Sequence, residues 1–116
     1  MSDKPSGYLP EVYRDFRTAF PGVSASYDDL AKACRDAGPL SQREQRLVKL
    51  GIAVGLQSDG AVRSHVRRAL AEGLSPEEIL HAVAIAIPTT GFPATAAAYR
   101  WATEVIGHQD EDLNEG

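Results

Sequence analysis

The chain has 116 residues, 43% of them apolar, and a formal charge of −4. That is enough apolar material for one core, and no apolar run approaches the ~20 residues a membrane-spanning helix needs. The start, MSDKPSGYLP, has an acid and two prolines but no apolar stretch of the secretory kind, so a cytoplasmic location is expected.

Residues 1–8 read as a disordered start. A first helix is expected over 9–20, where Val12, Phe16 and Ala19 share a face and Pro21-Gly22 stops it. A second, about 24–37, has Ser24 or Ser26 as a possible cap, Tyr27, Leu30, Ala31 and Cys34 on one face, and Gly38-Pro39 at its end. Cys34 is the only cysteine, which excludes an internal disulfide and a C-x-x-C redox pair.

The third helix opens on Ser41 with Glu44 three residues later, the spacing of a capping box. It is apolar nearly all round, through Leu47, Val48, Leu50, Ile52, Ala53, Val54 and Leu56, so it must be covered on several sides. In so short a chain this points to a second subunit, with Gly51 and Gly55 allowing close approach. After the polar turn Gln57-Ser58-Asp59-Gly60 a fourth helix runs to about residue 72, with Val62, Val66, Ala69 and Leu70 inward, Arg63, Arg67 and Glu72 outward, and Gly73 as a left-handed cap. The basic cluster Arg63, Arg67, Arg68 is too short, in a chain that is not basic, to indicate nucleic acid.

Ser75-Pro76-Glu77-Glu78 supplies an N-cap, a proline at the first helical position and a second capping box. The fifth helix carries Ile79, Leu80, Val83, Ala84 and Ile87 to Pro88. A loop over Thr89–Pro93 and a last helix over Ala94–Ile106 follow, and 108–116 is an acidic tail, expected disordered, that alone accounts for the net charge. The result is an all-α, compact bundle of about six helices in one domain over 9–107, without strands, repeats or an internal linker.

The residues LSQREQRLVKLGIAVGL, SHVRRALAEGLSPEEIL and GFPATAAAYRWA, all within 40–106, resemble the carboxymuconolactone decarboxylase family, which includes the alkylhydroperoxidase D-like proteins. The run from His65 through Ile79, H-x-x-x-A-L-x-x-G-x-[ST]-x-E-E-I, together with the downstream G-F-P-A, carries the resemblance. It implies the alkylhydroperoxidase D-like fold, assembly as a trimer or hexamer, and active sites near subunit interfaces. In the peroxidase branch a C-x-x-C pair acts with a His four residues later and a Glu twelve residues before the first Cys. Those positions fall here on Ser58, Ala61, His65 and Arg46. Neither a serine hydroxyl nor an alanine methyl can do the work of a thiolate, so thiol peroxidase activity is disfavoured.

The decarboxylase branch lacks the cysteine pair as well. Its implied reaction is loss of CO2 from a lactone carboxylate without metal or organic cofactor, which needs a cation for the substrate carboxylates and a group to handle a proton. Arg46, His65 and Ser58 are the candidate catalytic residues. His81, Thr89 and Phe92 are candidate substrate contacts, although His81 and Thr89 stand where that branch commonly has Glu and Tyr.

Each candidate has a plainer alternative. His65 fits a core or interface histidine, Arg46 fits a snorkelling stem, and Ser58 fits an N-cap. A His65/His81 metal pair lacks a third ligand, so no metal is expected. The leading expectation is a homo-oligomeric lyase acting on a small carboxylated lactone or related ring compound. The alternative is a non-catalytic oligomeric binding protein on the same scaffold.

Overall fold

The computed structural model describes the backbone of residues 5–115 and the side chains of residues 11–108. The described residues are all-α. The chain divides into two compact units, Met1–Pro39 and Leu40–Gly116, where sequence alone draws one domain over 9–107.

The first unit holds α1 (Pro5–Ala19) and α2 (Pro21–Asp36). Of the stretch 1–8 expected to be disordered, residues 1–4 lie outside the described residues, and α1 begins at Pro5. Pro21 does not simply stop a helix. It ends α1 because it has no N–H to give, and its preset φ starts α2 at once, with Phe20 as the N-cap. Ser24, considered as a cap, is instead buried within α2. Arg17 of α1 pairs with Asp28 of α2. The apolar faces read from the sequence here are not buried: Val12, Phe16, Tyr27, Leu30 and Cys34 are all exposed.

The second unit contains α3 (Gln42–Gly55), α4 (Asp59–Ala71), α5 (Pro76–Ile85), a single turn α6 (Ile87–Thr90) and α7 (Phe92–Glu115). Both capping boxes form. Ser41 Oγ accepts from Glu44 N at 3.1 Å while Glu44 Oε1 accepts from Ser41 N at 2.8 Å, and Ser75 with Glu78 repeats the arrangement at 3.1 and 2.8 Å. Leu50, Val54, Val62, Val66, Ile79 and Val83 are fully buried, and Ala98 and Ala102 let α7 lie close against them. Arg43 ties α3 to Glu78 of α5, and Arg63 ties α4 to Glu104 of α7 at 2.6 Å. The segment expected to be a loop over Thr89–Pro93 is helical on both sides of Gly91: Pro88 sits in the first turn of α6, where its missing N–H costs nothing, and α7 opens at Phe92, ahead of the expected start at Ala94. α7 continues past Ile106 to Glu115, because extending an existing helix needs only one hydrogen bond per residue fixed.

The junction between α3 and α4 positions the site. Gln57 N donates to Val54 O at 3.0 Å and Ser58 N to Ala53 O at 3.2 Å, the two bonds of a Schellman closure. Gln57 occupies the left-handed position of that closure at φ 53°, where glycine is the usual residue. α4 closes in the same way, with Gly73 at φ 95° and Leu74 N donating to Ala69 O at 3.0 Å.

α3 is covered on one side within the chain. Leu50, Ala53 and Val54 are buried, but Val48, Ile52 and Leu56 on another face are half exposed or more. A methyl group at Gly51 would meet nothing within 4 Å, whereas one at Gly55 would touch Thr90 Cγ2 at 3.8 Å.

Candidate active site

The two-bond turn at Gln57-Ser58 folds α4 back along α3, and three titratable side chains meet between the helices. Arg46 of α3 donates from Nε to Glu72 Oε1 at 3.0 Å and from Nη2 to Glu72 Oε2 at 2.8 Å, a bidentate fork. Its third nitrogen, Nη1, lies 2.8 Å from His65 Nδ1. The side chains of Arg46 and Glu72 are only 11% and 21% exposed, so the pair is well removed from solvent.

A guanidinium can only donate, and this fixes the state of the imidazole. Nδ1 must accept, so the ring is neutral and its proton is on Nε2. The electrostatics agree. Burial first, then the charges of Arg46, Arg68 and Lys49, push His65 down to about 4, with Glu72 opposing. The hydrogen bonds from Arg46 hold the Glu72 carboxyl below its ordinary range, helped by Gln42 and Arg68. His65 at neutral pH is therefore a hydrogen-bond donor through Nε2–H rather than a base.

Of the residues singled out from sequence, the structure brings Arg46 and His65 together. Arg46 offers its fork to Glu72, so the fork expected to hold a substrate carboxylate is already occupied. Ser58 is the N-cap of α4, its Oγ accepting from Ala61 N at 3.3 Å. His81 on α5, Thr89 on α6 and Phe92 at the start of α7 are exposed, and among the described residues no hydrogen bond or ion pair joins them to the His65 cluster. Glu72 is the member that sequence reasoning missed. Its place seven residues after His65 puts both on one face of α4, but only the α3–α4 register shows that Arg46 lies opposite. Among the described residues no three His, Cys, Asp or Glu side chains are grouped to hold a metal ion.

The sequence profile of the carboxymuconolactone decarboxylase family matches residues 21–104, and the chain belongs to that family. Its fold is similar to the crystal structure of the apo form of a carboxymuconolactone decarboxylase family protein from Legionella pneumophila. The likeness has a TM-score of 0.74 at 22% identity, over 86% of this chain and 92% of that one. No curated protein matches the chain. No helix among the described residues is long and apolar enough to cross a membrane.

Proposed function

We propose that the protein is a cofactor-independent lyase of the carboxymuconolactone decarboxylase type, releasing CO2 from a small carboxylated lactone or related ring compound. The observation that carries this reading is the imidazole fixed by Arg46 as an Nε2–H donor in a partly buried, cationic setting. When the C–C bond to the leaving carboxylate breaks, CO2 departs and the electron pair passes into the conjugated lactone carbonyl, whose oxygen becomes the anion. A donor already aimed at that oxygen stabilises it without reorganisation. A proton from water then completes the product at carbon. The role read for His65 from sequence, a proton shuttle at neutral pH, is replaced by hydrogen-bond donation, because Nδ1 is occupied and the ring stays neutral. Ser58 then serves the site through the turn it caps. His81, Thr89 and Phe92 stand as substrate contacts.

The same reading makes the protein a cytoplasmic homo-oligomer, a trimer or hexamer, since α3 leaves Val48, Ile52 and Leu56 uncovered. Thiol peroxidase chemistry is not part of it, with Ser58 and Ala61 where that branch has cysteines. A second reading, a non-catalytic binding protein, is favoured by one observation: the site's arginine is already neutralised by Glu72. The two separate on one assay. The lyase reading expects CO2 release from carboxymuconolactone that falls by about two orders of magnitude in His65→Ala, the scale of losing one aimed donor. Wild-type protein with no turnover on lactone carboxylates sinks it in favour of the binding reading.

A further inference from the structure

Among the described residues, two cations near His65 hold no carboxylate in an ion pair. Lys49 lies three residues on from Arg46 along α3, and Arg68 three residues on from His65 along α4, so each extends the strip that the Arg46–His65 contact defines. Lys49 is partly buried and Arg68 exposed. Among the described residues neither side chain makes a hydrogen bond or an ion pair, whereas Arg17, Arg43, Arg46 and Arg63 each hold a carboxylate. Glu72 is forked by Arg46 and also feels the charge of Arg68, so around the imidazole three cations face one carboxylate. The charges of Lys49 and Arg68 both reach the ring, since they act with burial and Arg46 in holding His65 neutral.

We propose that Lys49 and Arg68 form a carboxylate subsite that anchors a small organic acid with its reacting end at His65 Nε2–H. This rests on the lyase reading for which carboxylate is held: the one the substrate retains, while the leaving carboxylate points away from both cations. Placing the leaving group there would stabilise the charge that the reaction must remove, and so slow it. Arg46, the arginine that sequence favours for this task, becomes a positioning residue that sets the imidazole.

The test uses full-length protein and succinate as the probe, with binding measured by calorimetry and by the His65 imidazole resonances. Lys49→Gln/Arg68→Gln should weaken succinate by about tenfold or more, as expected for losing two charge-assisted contacts. Arg100→Gln, on exposed α7, should leave it unchanged, and Lys49→Arg/Arg68→Lys should restore most of it. Circular dichroism of each variant checks the fold. In turnover, the Gln pair should raise KM for a lactone carboxylate more than it lowers kcat. Wild type that binds no succinate at millimolar concentration overturns the subsite whatever its turnover. So does a Gln pair that binds within about twofold of wild type, or an Arg100→Gln loss of equal size. Succinate held at Lys49 and Arg68 by a protein without turnover overturns the lyase reading and leaves the subsite standing.

Discussion

His65 carries the clearest pH signature in the chain. Its folded pKa, about 4, lies below that of an unfolded histidine, so the unfolded chain binds more protons in between. The stabilisation is fully present above about pH 6.5 and is lost as pH falls toward 4, by on the order of 1–2 kcal/mol after discounting for the solvent that still reaches the partly buried ring. Urea titrations across that window should show the slope in wild type and a shallower one in His65→Gln; equal slopes would remove the assignment. Glu72→Gln should break the bidentate fork and let the ring populate both tautomers, visible as averaged imidazole nitrogen shifts, and a resonance still reporting a pure Nε2–H form would show that Glu72 is not needed. At the residue scale the sequence singled out His65 and Arg46 separately, and their contact appears only in the structure. The identity of Arg46's acceptor depends on inter-helix register, which no local spacing encodes. Ser58 was legible as a cap, and it does more, since its N–H also closes α3. Placing a cysteine there would trade a strong acceptor for a weak one at the turn that brings His65 to Arg46.

Helix ends were the most readable elements. Ser41/Glu44, Ser75/Glu78 and Gly73 act where the sequence puts them, because each motif satisfies backbone groups within a few residues of itself. Ser75→Ala should cost about 1 kcal/mol by losing its cap on α5, measured by chemical denaturation. Gln57 is the opposite case: nothing in its residue type announces a left-handed conformation. Gln57→Gly should stabilise by about 0.5–1 kcal/mol, and a lower urea midpoint in that variant would refute the strain argued at φ 53°. The prolines were half legible. Pro21 and Pro88 read as stops, yet each opens the next helix, since the same fixed φ that breaks one helix suits the first turn of another.

For the whole molecule, the all-α class followed from periodicity and the family from the motif running His65 through Ile79, while the distribution of apolar surface did not follow from either. A helical apolar stripe marks a face that needs cover without saying whether that cover belongs to the same chain. Light scattering of wild type should give a closed assembly, and Ile52→Asp/Leu56→Asp should shift it toward monomer; a monomeric wild type would contradict the reading of α3. The bare apolar side chains of the first unit, Val12, Phe16, Phe20, Tyr27 and Leu30, all open to water, carry this further. If those side chains find their cover in other copies, association and folding are one linked equilibrium, and the melting temperature becomes a function of protein concentration. A tenfold dilution then lowers the transition, and expression level sets how much of the chain is folded at all.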